Sequence, residues 1–117
     1  MKVAVVLLAG SDTPDGTGRM ANAFITALEA QDAGDETRVI FDGAGTTWIR
    51  VLADPEHKYH RLLEKVRGSV SGACLYYARA YGVVEDVEKA GIPLLDEYKA
   101  HSSIRALLAD DFHVVTF

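Results

Sequence analysis

Lys2 to Ala9 (KVAVVLLA) is a continuous apolar run that stops at Gly10. Unbroken hydrophobicity over that length predicts a strand buried on both faces, as at the middle of a parallel sheet. Gly10 to Gly18 (GSDTPDGTG) reads as a loop by composition. About Arg19 to Gln31 predicts a helix, with Ala21, Phe24, Ile25 and Leu28 at helical spacing, until Asp32 to Asp35 breaks it. Thr37 to Asp42 (TRVIFD) predicts a second strand, ended by Gly43 and Gly45. Thr46 or Thr47 is placed to cap a short helix through Leu52 that carries Trp48 and Ile49. Asp54-Pro55 starts a further helix, about Glu56 to Val66.

Val70 to Ala73 is a run of small and β-branched residues, the third strand. From Cys74 to Tyr81 the pattern turns helical, and Gly82 supplies a C-terminal stop. Val84 to Ala90 gives another turn or two of helix, and Ile92 to Leu95 a short strand. Ser102 to Ala109 carries a serine cap and the stripe Ile104, Leu107, Leu108; Phe112 to Phe117 (FHVVTF) is the last strand. Strands alternating with helices predict an α/β fold: three layers, about five mostly parallel strands, helices on both faces. At 117 residues the chain is one domain, 1–117.

In such a sheet ligands lie beyond the carboxyl ends of the strands. Those ends deliver the Ser11–Gly18 loop, Asp42 to Thr46, Cys74, and Asp96 to Ser103, so these pieces are candidates to share one cleft. Cys74 is the chain's single cysteine. A sulfur where a strand hands over to a helix meets free N–H groups and the positive end of the dipole, which favour thiolate and hence a nucleophilic or sulfur-carrying role. Small neighbours such as Gly72 would let a second molecule approach. The plainer role of a lone cysteine is as a small buried hydrophobe.

Other candidates around the cleft are Ser11, Asp12, Asp42, Gly43, Gly45, Thr46, Trp48, Gly72, Tyr77, His101 and Ser102. Each has a structural alternative: a turn for Ser11 and Asp12, an Asx turn with a helix cap for Asp42 to Thr46, core packing for Trp48 and Tyr77, and a polar loop for His101-Ser102. The first loop matches neither the phosphate-loop pattern, since Thr17 stands where lysine is needed, nor the dinucleotide fingerprint. A loop holding a flavin phosphate by hydroxyls and amides is the binding alternative there.

The net charge of −5 argues against a broad nucleic-acid surface or an anionic-membrane footprint. One cysteine excludes an internal disulfide and a Cys-rich zinc site, and no metal or cofactor is expected. The apolar start is too short to span a membrane and lacks a secretion signal's basic start, so the cytoplasm is the expected compartment.

Taken in order, KVAVVLLAG, VIFDGAGTTWI, SVSGACLYYARAYGV, IPLLDEYKAHSSIRALL and FHVVTF resemble the DsrE/DsrF-like family over nearly the whole chain. The resemblance implies a small parallel-sheet domain with flavodoxin-like winding, assembled as a homo-oligomer, a trimer or paired trimers. It also implies a sulfur-relay role of sulfurtransferase type. In sulfur-trafficking members a cysteine after the third strand is persulfidated and passes its sulfur to a partner protein, and Cys74 matches that position. Some relatives carry a second cysteine three residues on; Tyr77 stands there here, so a dithiol mechanism within one chain is not available. The alternatives are a non-catalytic module for a nucleotide- or flavin-like ligand, and a subunit whose role is assembly.

Overall fold

A computed structural model describes all residues, Met1 to Phe117. The five strands are β1 (Lys2–Leu7), β2 (Glu36–Phe41), β3 (Val70–Cys74), β4 (Leu94–Leu95) and β5 (His113–Thr116). The helices are α1 (Pro14–Asp32), α2 (Thr47–Leu52), α3 (His60–Val66), α4 (Leu75–Ala80), α5 (Val84–Lys89) and α6 (Ile104–Ala109). Every strand pair is parallel, in the order β4-β3-β2-β1-β5. The chain therefore steps outward from β1 to β4 and returns to the other side of β1 only with β5.

Alternation of side chains along the strands divides the interior in two. Val3, Val5, Leu7, Val39, Phe41 and Ala73 point into the larger core, where they meet α1, α2, α3 and α5 through residues such as Phe24, Trp48, Leu63 and Val87. Ala4, Val6 and Ile40 point the other way, where α6 contributes Leu107 and Phe112 closes the edge. One face carries most of the helices and the other chiefly α6. Both edge strands are short, which limits strand-to-strand association.

The helix boundaries correct the sequence expectation at two places. Gly10–Gly18 is not all loop: α1 begins at Pro14, five residues before the spacing of apolar residues suggests. Thr13 caps it, its hydroxyl accepting from the Gly16 N–H at 3.0 Å, and Pro14 takes the first-turn position where a missing N–H costs nothing. The glycine at 16 is required by contact, because a Cβ there would lie 2.0 Å from the Gly10 carbonyl oxygen. The helix expected from Glu56 begins only at His60, after Asp54 has accepted from the Glu56 N–H in a turn. No helix is long and apolar enough to cross a membrane.

Candidate functional site

β2 ends at Phe41 and delivers Asp42 in extended conformation, capping the 3-10 turn Gly43–Thr46. One carboxylate oxygen of Asp42 accepts from the Gly43 N–H at 2.8 Å, and the other accepts from the Ser102 hydroxyl at 3.2 Å. β3 ends at Cys74, whose backbone forms the entry to α4. Between β4 and α6 the chain makes a tight turn, with Tyr98 and His101 bridged by reciprocal backbone hydrogen bonds of 3.0 and 2.8 Å. That turn lays the His101 ring beside the cysteine, its Nδ1 3.8 Å from Sγ. Asp42, Cys74, His101 and Ser102 thus converge from three strand ends, two of the bonds joining residues 27 and 60 positions apart.

The turn that carries His101 is strained. Lys99 and Ala100 both have positive φ, 48° and 66°. Two successive left-handed residues are the mark of the tight hairpin turns that glycine or asparagine usually fills. For residues with a Cβ each costs about 1–2 kcal/mol. The strain is held by the two bonds of the bridge and by a third, from the Tyr76 N–H to the Ala100 carbonyl at 2.9 Å. Aromatic packing adds to it: His101 stacks on Tyr76 with ring centroids 4.3 Å apart and meets the edge of Tyr77 at 5.3 Å.

Cys74 is wholly covered, with no exposed surface. Three features differ from the sequence expectation of an open sulfur cradled by helix amides. The first-turn Tyr76 amide of α4 is engaged by Ala100. Gly72 opens no route to the sulfur: a Cβ there would lie 2.6 Å from both the Leu95 side chain and the Pro93 carbonyl, so its missing side chain lets β4 close in. And the polar group beside the sulfur is an imidazole.

The remaining candidates make no hydrogen bond to the cysteine. Ser11 pairs with the Thr47 hydroxyl at 3.0 Å, while Asp12 is exposed to solvent. Thr46 is buried and donates to the Gly43 carbonyl at 2.9 Å. Gly43 adopts φ 52°, and a Cβ on Gly45 would sit 1.9 Å from the Leu7 carbonyl oxygen, so both glycines serve the descent of the turn onto β1. Trp48 belongs to the core and donates its indole N–H to the Ala9 carbonyl at 2.9 Å. At the reversal of strand order between β1 and β5 the Phe117 carbonyl accepts from the Leu8 and Ala9 amides, and an open depression there is lined by Leu8, Ala9, Asp15, Arg19, Thr116 and Phe117, none of them among the candidates. The left-handed conformation of the Lys99-Ala100 turn and the stacking of Tyr76 on His101 are not legible in the sequence. Neither lysine nor alanine signals a left-handed turn, and an exposed tyrosine stacked on a histidine 25 positions later leaves no local pattern.

No group of three or more His, Cys, Asp or Glu side chains is placed to hold a metal ion. What the arrangement can do chemically is move a proton between Sγ and Nδ1, since the separation suits a sulfur hydrogen bond and imidazole can stand on either side of it. His101 is itself fixed through its backbone rather than by a carboxylate.

No family model matches the chain. It is 26% identical over 98 residues to the uncharacterized protein MJ0733 of Methanocaldococcus jannaschii, which spans 82% of this chain and 78% of that one. Its fold is similar to that of BT1422, a conserved protein of unknown function from Bacteroides thetaiotaomicron. That likeness has a TM-score of 0.63 at 16% identity and covers 97% of this chain and 94% of the other.

Proposed function

We propose that this chain is a sulfur-relay protein of the DsrE/DsrF-like kind, in which Cys74 accepts sulfane sulfur as a persulfide and passes it on. The observation that carries the proposal is the Cys74–His101 contact, a thiol with an imidazole 3.8 Å away at the carboxyl end of β3. In the loading step the Cys74 proton passes to His101 Nδ1 and the resulting thiolate attacks the outer sulfur of a donor persulfide. The donor's S–S bond breaks as the Cys74 S–S bond forms, and the donor leaves as a thiolate. No net oxidation occurs, and unloading onto an acceptor thiolate is the same exchange in reverse.

The covered sulfur sets a condition on this chemistry. Loading proceeds with the 98–101 turn displaced, and the strain at Lys99 and Ala100 lowers the cost of displacing it. A homo-oligomer and a donor or acceptor protein belong to the same proposal. The exposed Tyr76, Tyr81 and Tyr98 around the turn are side chains of the kind that partners bury.

The test is mass spectrometry of the native chain after exposure to a small-molecule persulfide donor, with Cys74→Ser beside it. One added sulfur on the native chain and none on the variant is the expected outcome. No added sulfur on the folded chain, under conditions that load the same chain in denaturant, would overturn the proposal and leave Cys74 as a packing residue.

A further inference from the structure

A separate cavity of about 110 Å³ lies between α6 and the face of the sheet that α6 covers. Its walls include Ile40 and Leu107, the hydroxyls of Ser71 and Ser103, and one charge of each sign, Arg38 and Glu97. Ser71 is at the irregularity of β3, where the register against β2 shifts between Val39 and Ile40. That extra residue turns a hydroxyl into an otherwise aliphatic wall.

The two charges are available to a ligand. The ion contacts of Arg38 are with Glu36 and Asp110, both at 3.7 Å, beyond good hydrogen-bond length, and neither is with Glu97. Its guanidinium lies over the Phe112 ring, 4.4 Å from the centroid, and that stacking holds the planar fork in place. Glu97 accepts from the Ser103 N–H through one oxygen at 3.1 Å. Both side chains are at the solvent side, and the aliphatic residues form the floor.

We infer that this cavity binds a small free α-amino acid, its carboxylate on Arg38, its ammonium on Glu97 and its short side chain against Ile40 and Leu107. Size limits the class: a cavity of about 150 Å³ takes benzene with its six heavy atoms, and the smaller space here takes fewer within its walls, so only the smallest amino acids fit, with their charged ends toward solvent. A nucleotide or a flavin ring is far too large for it. A zwitterion meets both charges at once, whereas a single anion or a single amine meets only one of them. Cys74 does not line the cavity, although its register partner Leu95 and the Ser102 that donates to Asp42 do, so the two sites are neighbours.

Titration of the isotopically labelled chain with L-alanine, followed by NMR, tests the inference, with acetate and ethylammonium as half-ligands. Saturable shifts at Ile40, Ser71 and Leu107 at roughly millimolar alanine are expected, with both half-ligands weaker. Arg38→Met and Glu97→Gln should each weaken alanine about tenfold. Ser71→Leu, which fills the cavity and leaves both charges, should abolish binding. No saturable shift would overturn the inference. So would acetate binding as tightly as alanine with Glu97→Gln without effect, since that describes a bare anion contact at Arg38. Cys74→Ser should bind alanine normally, so failure here and failure of sulfur loading are separable.

Discussion

The carboxyl ends of β1 and β2 lead into loops of glycine, serine or threonine and aspartate, whereas β3 runs straight into α4 and β4 into the Asp96–Ser103 loop. Their side chains are committed differently. At the first pair, Ser11 holds Thr47, Thr46 holds Gly43, and Trp48 holds Ala9, so the polar groups close the loops onto one another. At the second pair a thiol faces an imidazole, and the turn that supplies the imidazole is in a conformation its residues disfavour. A strand end whose hydrogen bonds mostly close its own loop is a joint, with Asp42 alone reaching across to Ser102 of the other pair. One that keeps a nucleophile beside a proton carrier, at the expense of backbone strain, has the form of a reactive site.

The contrast breaks most readily at the joint. Trp48→Ala removes a fully buried indole from the larger core and its bond to Ala9, and should cost about 3–5 kcal/mol, read as a lowered denaturation midpoint. Gly45→Ala should cost roughly 3 kcal/mol, because the new methyl carbon would meet the Leu7 carbonyl at 1.9 Å and neither backbone can retreat. A fold that tolerates both within about 1 kcal/mol would mean that the first pair of strand ends is adaptable, and the distinction would fail.

At the second pair, His101→Ala should cost only about 1 kcal/mol yet uncover the sulfur. Labelling of Cys74 by a maleimide under native conditions should speed up roughly tenfold or more, since the ring that stacks between Tyr76 and the thiol is gone. An unchanged rate would show that the 98–101 turn is not what covers Cys74. Ala100→Gly acts oppositely: glycine accepts φ of 66° without a Cβ clash, so the closed turn should gain about 0.5–1 kcal/mol and labelling should slow a few-fold. Destabilisation by that variant would mean that the turn carries no strain to relieve.

How much of this was legible in the sequence follows the range of the forces involved. The parallel sheet was, because continuous apolar runs such as KVAVVLLA are local and have one comfortable place, between two layers. So was the position of Cys74 at a strand-to-helix junction, from the change in period after Ala73. The start of α1 was hidden by its own glycines, although Thr13-Pro14 is a start signal that weighs more than loop composition. Burial of Cys74 was legible as the plainer role of a lone cysteine, but its particular cover was not. It depends on a histidine 27 positions away, brought there by a turn whose residues advertise nothing.

The smallest expected effect is electrostatic and lies on α3. Glu64 is held below the usual carboxylate range, first by the hydrogen bond from Arg67 and then by its charge, with desolvation acting in the opposite sense and His60 adding a little. Since the folded value lies below the unfolded one near 4.5, the pair stabilises the chain above that pH, and the contribution is lost as pH falls through the folded value. The Glu64 side chain is 43% exposed, so water screens the pair and Glu64→Gln should cost no more than about 0.2–0.5 kcal/mol at neutral pH and nothing in acid. Urea midpoints for the native chain and Glu64→Gln should therefore differ slightly at pH 7 and coincide at the acid end. A gap that persists in acid would mean that Glu64 acts by packing rather than by charge.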